Sequence, residues 1–344
     1  GECAYEKGGY FIVNGNEKVI VSIERSAYNI PTITHSNDDN MRTFLSVVTT
    51  DKNEITKRKI SMKVIKRNYN QKERNSIRLS LGLFRVDIPL FVLFRALGVT
   101  SDKEIIEYIF GTSEFSKIST FQDIILDCIA DSENIYDQET AMKYMSTFLK
   151  DKALKRVLYY LTFDFAVNVD GSLREKAAYL GYLTRKLLLV DRRIIEPTDR
   201  DDYQYKRINT SGALLHELFV EFYESFTSNV MRRMTEYFNY NKELYSDDNY
   251  RNLITTNDNL EQIFNKDILE KGILDGLKGN WGKRPSTHRD GVSQELARIN
   301  YYDTLSHLRR SINPMDSSVK RKEPRQLHGS QIGYICMSET PTGA

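Results

Sequence analysis

Two β-rich runs open the chain and flank an Asn-Gly pair. The runs cover residues 8–13 and 17–25, and the pair between them is Asn14-Gly15. Asn-Gly is a strong hairpin signal because both residues tolerate the positive φ angles that a two-residue turn requires. The pattern therefore predicts a β-hairpin at the start of the chain.

A second β-rich region covers residues 44–48 and 59–64. In the latter segment Ile60, Met62 and Val64 alternate with polar residues that include two lysines. Alternation with a period of two places the apolar side chains on one face of a strand. We expect a strand whose apolar face is buried and whose other face carries lysine.

From residue 88 onward, apolar residues recur at the three- and four-residue spacing of amphipathic helices. Ser101-Asp102-Lys103-Glu104 is a capping signature that marks the start of a helix. The predicted helices cover a short apolar segment at 88–97, a segment after Ser101, and the stretches 121–129, 138–148, 174–190 and 213–239. Strands together with a helical middle predict an α+β fold with several subdomains.

A polar stretch at 196–209 interrupts the helical pattern and predicts a domain boundary near Asp202. Its charged residues include Asp199, Arg200, Asp201, Asp202, Lys206 and Arg207. Carboxylate oxygens suit hard metal ions, but the spacing lacks the glycine and the distal glutamate of a calcium loop. We therefore expect local ion pairing in this stretch and assign no metal site.

Length and composition exclude several classes of protein. The chain has 344 residues, of which 40% are hydrophobic and 28% are charged, so it is neither disordered nor collagen-like. It is well over twice as long as the roughly 150 residues of a typical domain, which predicts two or more units.

Cysteine usage and the chain ends bear on location. Three widely spaced cysteines fit neither a disulfide framework nor a zinc ribbon and favour a reducing compartment. The longest apolar run, 88–94, is far shorter than the roughly 20 residues that span a bilayer, so no membrane partner is expected. The chain lacks an initiating Met, a signal pattern and a closing helix stop. We expect it to be a piece of a longer intracellular protein that is not secreted.

Positive charge is concentrated in two zones. The first, 57–78, has nine basic residues and one acidic residue, for a net charge of +8; the second, 278–328, has eleven basic and five acidic residues, for +6. Since the total is +2, the remainder carries −12. Such zones fit a polyanionic partner such as nucleic acid. The alternative is that both are solvated faces, and the sequence leaves the first zone undecided.

Motifs of self-contained catalysis are missing from the sequence. It has no Walker loop, no G-x-G-x-x-G after a strand, no H-E-x-x-H and no G-x-S-x-G, and its five histidines are scattered. A self-sufficient nucleotide-using enzyme is therefore less favoured than the two other functions considered below.

The most specific signal is the series of motifs near the C-terminus. They read Gly291-Val292-Ser293-Gln294, Thr304-Leu305-Ser306-His307-Leu308-Arg309-Arg310, Pro324-Arg325-Gln326-Leu327-His328 and Glu339-Thr340-Pro341-Thr342-Gly343. In this order they resemble the second-largest subunit of multisubunit DNA-dependent RNA polymerases, of the eukaryotic, archaeal and large-DNA-virus type. The segments 8–19, 87–98 and 199–201 resemble that family's protrusion hairpin and lobe.

The resemblance implies a division into subdomains. Residues 1–41 would be the end of the first part of the protrusion, 42–204 the lobe, 205–274 the second part of the protrusion, and 275–344 a truncated fork. The segment 336–343 departs from the family's Cys-Pro-Ala-Glu-Thr-Pro-Glu-Gly at three of eight positions, which suggests a divergent, viral lineage.

The resemblance also implies partners and cofactors. The catalytic magnesium and the triphosphate-binding residues of the complete polymerase would lie outside this fragment, which would hold no cofactor and show no activity alone. Its partners would be the largest subunit, the other polymerase subunits, template DNA and nascent RNA. The location would be the nucleus, or the cytoplasm and virion for a viral enzyme.

Specific residues are implied to face nucleic acid. Gln294, His307, Arg309 and Arg310 match a segment near the RNA backbone, although a buried imidazole is an equally good interpretation of His307. Lys320, Arg321 and Lys322 end a proline-bounded loop that would lie where downstream DNA opens, with a plain surface loop as the alternative. Arg325 and Gln326 would lie near the downstream end of the hybrid, and Glu339 would organise nearby cations.

Two classes of function therefore stand after the resemblance. The first is a polymerase subunit fragment that shapes the cleft for DNA and the RNA:DNA hybrid. The other is a free-standing helical interaction module with incidental basic patches and no role in nucleic-acid binding. Affinity for a DNA:RNA hybrid would distinguish them.

Overall fold

The computed structural model describes residues 5–36, 38, 40–52, 54, 56–69, 72–111, 119–132, 134–240, 257–283, 288–314 and 326–339. The chain forms two compact units, each built from two segments. The first unit is Gly1–Ser26 with Lys206–Gln326, and the second is Ala27–Tyr205 with Leu327–Ala344. The division into four subdomains stays a prediction.

Helices and strands both contribute to the architecture, which confirms the predicted α+β class. The strands are β1 (Phe11–Val13), β2 (Asn16–Ile20), β3 (Ser22–Ser26), β4 (Thr32–His35), β5 (Met41–Thr50), β6 (Lys57–Tyr69), β7 (Lys72–Leu81), β8 (Ile88–Pro89), β9 (Lys206–Asn209), β10 (Ser293–Glu295) and β11 (Ser311–Ile312). The helices are α1 (Leu90–Ala96), α2 (Asp102–Phe110), α3 (Gln122–Ala130), α4 (Gln138–Ser146), α5 (Leu154–Tyr159), α6 (Leu173–Asp191), α7 (Ser211–Tyr240), α8 (Asn257–Ile263), α9 (Asp267–Lys278) and α10 (Tyr301–Leu308).

The predicted hairpin is confirmed. Strands β1 and β2 pair antiparallel, and the turn between them has positive φ at Asn14 (51°) and Gly15 (83°). Both values fall in the left-handed region that a two-residue hairpin turn requires. The β-rich run 17–25 is divided between two sheets. Its first part belongs to β2, which pairs with β1, whereas its second part is β3, which begins at Ser22 and pairs with β9 and β11.

Strands from both ends of the sequence complete the sheets of the first unit. One sheet has the order β1-β2-β10 and the other has the order β11-β3-β9. A small core that includes Ile20, Ile23, Leu214 and Trp281 lies beside them. Helix α9 packs closely on α7 because Gly276 leaves room for the side chain of Leu218.

The second unit is organised around a five-stranded antiparallel sheet in the order β4-β5-β6-β7-β8. The predicted alternation in β6 is confirmed, since Ile60, Met62 and Val64 are at most 1% exposed. The opposite face is not simply open to solvent, because Ser61 on that face is also buried. Lys63 is half-buried there.

Helix α3 covers part of the free edge of β7. The backbone N–H of Asn75 donates to Asp127 Oδ2 at 2.9 Å, and that of Ile77 donates to Cys128 Sγ at 3.3 Å. These bonds satisfy edge donors that would otherwise be available to another strand. Burial raises the pKa of the Cys128 thiol to about 12, so this cysteine is a protonated structural residue.

The predicted helices are confirmed as α1 to α4, α6 and α7, with shifted ends. Pro89 precedes the first helix and belongs to β8, so that helix begins at Leu90. Helix α2 begins directly after Ser101 as expected, but the Ser101 side chain makes no capping bond. The carboxylate of Asp102 instead accepts from Arg95 Nη2 at 2.6 Å.

Lys176 of α6 holds a π-helical turn at Tyr160–Asp164. Its buried Nζ donates to the carbonyl oxygens of Leu161, Thr162 and Phe165 at 3.2, 2.6 and 2.6 Å. Desolvation lowers the pKa of Lys176, while the three carbonyls compensate its buried N–H groups. This contact fixes the end of α5 on α6.

None of the helices in the described part of the chain combines the length and apolar character needed to cross a membrane.

Gly181 provides a test of the helix packing in the second unit. It is buried in α6, and a methyl group there would overlap the backbone carbonyl of Tyr108. We expect Gly181→Ala to destabilise the protein by about 1 to 3 kcal/mol, although alanine normally favours a helix by about 1 kcal/mol. Urea denaturation measures the change.

The control is Gly212→Ala in α7, where no atom outside the immediate neighbours lies within 4 Å of an added Cβ. This variant should be neutral or more stable. Equal stabilisation by both substitutions would contradict the close approach of α2 and α6.

Candidate nucleic-acid interface

The candidate interface is built on β10 and α10 of the first unit. Strand β10 pairs with β2, which places Gln294 opposite Val19. The backbone N–H of Leu296 donates to the carbonyl of Glu17 at 3.0 Å and extends this pairing. The strand is therefore a fixed base from which the following helix projects.

Helix α10 is attached to this base at its first turn. The Asn300 side chain caps the helix by accepting from the backbone N–H of Asp303 at 2.8 Å, as is usual for Asn at this position. Thr304 Oγ1 donates to the carbonyl of Ala297 at 2.9 Å. The helix and the segment after β10 are thus joined side chain to backbone.

His307 provides the second attachment. Its side chain is buried, and the residue is 4% exposed. The backbone N–H of Ala297 donates to His307 Nδ1 at 3.0 Å, and His307 Nε2 lies 3.1 Å from Gln294 Oε1. Thr304 and His307 therefore hold both polar backbone groups of Ala297.

These contacts define the protonation state of the ring. Nδ1 accepts a hydrogen bond and must be unprotonated, so the proton lies on Nε2 and is donated to Gln294 Oε1. The Gln294 amide is oriented in turn, because its Nε2 donates to the carbonyl of Gly291 at 2.8 Å. Burial, followed by the positive charge of Arg310, lowers the pKa of His307 below its usual 6.5. The imidazole is neutral at pH 7.

Arg309 and Arg310 follow directly at the end of the helix. The backbone N–H of Arg309 donates to Ser306 at 3.1 Å and that of Arg310 to His307 at 3.3 Å. Arg309 is exposed and Arg310 is half-buried, and the chain then enters β11, which pairs with β3. Two guanidinium groups are thereby carried on a rigid support, an arrangement that suits phosphate binding.

The structure brings four of the predicted residues together: Gln294, His307, Arg309 and Arg310. Gln326 and Glu339 are exposed, and Glu339 belongs to the second unit. Lys320, Arg321, Lys322 and Arg325 lie outside the described residues. The nucleic-acid contacts of all these residues stay predictions.

The first basic zone is partly compensated within the second unit. Arg58 pairs with Asp164 at 2.6 Å, Lys63 with Asp87 at 3.5 Å, and Arg78 with Asp131 at 2.6 Å. For these three cations the structure favours a structural role. Of the same zone, Lys59 and Lys66 are exposed.

The acidic cluster also acquires a partner that the sequence did not suggest. Asp199 Oδ2 lies 3.0 Å from His328 Nε2, and Asp202 accepts from the backbone and side-chain amides of Gln204 at 3.0 and 2.7 Å. Lys206, an expected partner of the cluster, pairs with Glu24 at 2.5 Å. Within the described ranges, no group of three or more His, Cys, Asp or Glu side chains could hold a metal ion.

Sequence reasoning missed the role of Arg298. Its Nε and Nη2 donate to the two carboxylate oxygens of Glu17 at 2.8 Å each, and its Nη1 donates to Glu6 at 3.1 Å. The guanidinium lies over the ring of Tyr10, 5.1 Å from its centroid. The Arg298 contact lowers the pKa of Glu17. Arg298 and Glu17 are 281 positions apart in the sequence, so no local pattern would reveal the pair.

Comparison with known proteins places this geometry in a family. The family model described as RNA polymerase beta subunit matches residues 1–257, and the one described as RNA polymerase Rpb2, domain 3 matches residues 294–344. The second match contains Gln294, α10 and both arginines of the candidate interface.

Individual relatives agree along nearly the whole chain. DNA-directed RNA polymerase II subunit RPB2 of Schizosaccharomyces pombe is 32% identical, over 99% of this chain and 28% of its own length. The protein of the same name from Encephalitozoon cuniculi is 33% identical, over 100% of this chain and 29% of its own length. DNA-directed RNA polymerase subunit Rpo2N of Methanothermobacter thermautotrophicus (strain Winter) is 29% identical, over 99% of this chain and 66% of its own.

The chain thus spans less than a third of the length of these two eukaryotic relatives. The beta-subunit model covers residues 1–257 of 344, which is well over half of the chain. The chain therefore belongs to the RNA polymerase beta subunit family, as the resemblance of its motifs indicated.

Proposed function

We propose that the chain is part of the second-largest subunit of a DNA-dependent RNA polymerase and shapes the cleft for DNA and the RNA:DNA hybrid. The observation that carries the proposal is the end of α10, where Arg309 and Arg310 follow a helix tied to a sheet. Family membership supports this role, because the relatives named above are polymerase subunits. A free-standing helical module without a role in nucleic-acid binding finds no support among them.

The chemistry of the two arginines suits an enzyme that must accept every sequence. Guanidinium groups donate to phosphate oxygens in a geometry that is the same for all nucleotides. Phosphate contacts fix the register of a strand without reading its bases. Arginines at the end of α10 therefore hold the RNA backbone behind the growing end, while the hybrid moves past them.

The bond-forming chemistry belongs to the complete polymerase. We assign no residue of this chain to magnesium or to the incoming triphosphate. Nucleotidyl transfer accordingly requires the largest subunit, which supplies the catalytic centre together with the remainder of this subunit.

The other partners and the location follow from the same proposal. Template DNA, nascent RNA and the remaining polymerase subunits are the partners. Polymerase subunits act inside cells, so the protein is intracellular, in the nucleus or, for a viral enzyme, in the cytoplasm and virion.

The arginine contacts predict a change in salt dependence. In the intact polymerase, Arg309→Ala/Arg310→Ala should speed release of RNA from halted elongation complexes. The slope of log release rate against log KCl should fall by about 0.7 to 0.9 for each lost phosphate contact, because fewer counterions are displaced.

The matched control for this experiment is Arg232→Ala, which removes an exposed arginine of α7 that pairs with Glu236. It should leave the salt slope unchanged. A double variant with the slope of the unmodified enzyme would exclude phosphate contacts by Arg309 and Arg310.

The basic residues near the end of the loop that the sequence predicts between Pro314 and Pro324 lead us to expect an effect that depends on the template. We expect Lys320→Ala/Arg321→Ala/Lys322→Ala to slow elongation modestly on fully duplex downstream DNA, because contacts that favour strand opening are lost. On a scaffold whose downstream template is single-stranded, the rate should change little. Elongation rates on the two scaffolds provide the measurement.

The opposite pattern is also informative. Equal slowing on both scaffolds would show that these side chains act on chemistry or assembly and not on strand separation. The conservative variant Lys320→Arg/Arg321→Lys/Lys322→Arg should preserve the rate, because phosphate contacts of this kind depend mainly on charge.

A further inference from the structure

His307 lies at the junction between the sheet and the arginines, and its contacts are all internal. Nδ1 accepts from Ala297, Nε2 faces Gln294 Oε1, and the residue is 4% exposed. A neutral imidazole has one donor and one acceptor. Both are used inside the protein, so the ring keeps no polar group for RNA.

His307 also fixes the point at which the two arginines follow α10. Its carbonyl accepts the backbone N–H of Arg310, and its side chain anchors the last turn of α10 to the segment after β10. Thr304 makes the corresponding contact one turn earlier. Loss of the imidazole would leave the N–H of Ala297 and the oxygen of Gln294 without their partner. Both residues are half-buried, so the loss costs free energy wherever water cannot replace the ring.

We propose that His307 is a positioning residue, which does not contact RNA but holds the end of α10 so that Arg309 and Arg310 meet the RNA backbone. Gln294 belongs to the same support, because both ends of its amide are engaged by Gly291 and His307. This inference rests on the proposed function, since it assigns the RNA contacts to the two arginines.

The charges around the ring agree with a neutral role. Besides burial, Arg310 just beyond the end of α10 lowers the pKa of His307, and Asp303 on the same helix raises it. On the segment packed against it, the facing groups are the uncharged Gln294 amide and the backbone of Ala297. Glu295, the acidic residue nearest in sequence on that segment, is exposed and pairs with Lys18 at 3.2 Å.

A double-mutant cycle in the intact polymerase separates positioning from direct contact. His307→Phe keeps a ring of similar size but removes both hydrogen bonds. It should speed RNA release from halted complexes by about five- to tenfold in the otherwise unmodified enzyme, and by less than about twofold in the Arg309→Ala/Arg310→Ala background. The exposed His216 provides the matched control His216→Phe, which should leave release unchanged.

The outcomes distinguish failure of this inference from failure of the proposed function. Equal effects of His307→Phe in both backgrounds would overturn the inference, because the ring would then act independently of the arginines. No effect of removing the arginines would instead overturn the proposed function at this site. If His307→Phe prevents assembly, the same cycle with His307→Asn and His307→Gln, each of which retains one hydrogen bond, decides the question.

The sign of the pH dependence is an independent readout. A supporting imidazole must be neutral, and its lowered pKa favours the neutral form over the pH range in which a free imidazole titrates. RNA release should therefore become faster as the pH falls through the lowered pKa of His307, because protonation removes the acceptor for Ala297, and His307→Asn should lack this acid limb. If the ring contacted phosphate directly, protonation would strengthen that contact. Slower release at low pH would therefore contradict the proposal.

Discussion

The pairing of β2 and β3 with strands far along the chain is the constraint on which the first unit depends. Val19 and Ile20 of β2 are buried, and the strand is completed on one side by β10, some 275 residues later. Strand β3 similarly requires β9 and β11. Without these partners, one edge of β2 and both edges of β3 would have unpaired backbone groups. The position of α10 is therefore set by the hairpin at the other end of the sequence.

Internal pairing decides which positive charges are available to a nucleic acid. Net charge predicts two basic zones of similar strength, yet Arg58, Arg78 and Arg298 are all engaged by carboxylates of their own unit. A guanidinium held by a bidentate carboxylate has little remaining attraction for phosphate. Part of the positive charge in these zones thus cross-links distant segments, and the electrostatics of the candidate interface depend on basic residues outside these pairs, such as the exposed Arg309.

Local patterns predicted most of the secondary structure, because hairpin turns and amphipathic helices are determined by near neighbours. The Asn14-Gly15 turn and the 30-residue α7 are examples. Contacts between distant residues were beyond such patterns. The sequence could not show that Asp199 meets His328 or that Glu17 meets Arg298. For the candidate site, the motif grouped Gln294 with His307 but could not show that they bind each other.

A neutral histidine is better suited to position 307 than a permanent cation. The site is buried and lies beside Arg310, so a charged group there would bear both a desolvation cost and like-charge repulsion. Imidazole avoids both while still providing one donor and one acceptor in a rigid ring. The support therefore stays uncharged in the interior, whereas Arg309 and Arg310 carry their positive charge at the helix end, where Arg309 is exposed to water. In the proposed function, such separation lets the arginines bind every nucleotide alike without destabilising the sheet that holds them.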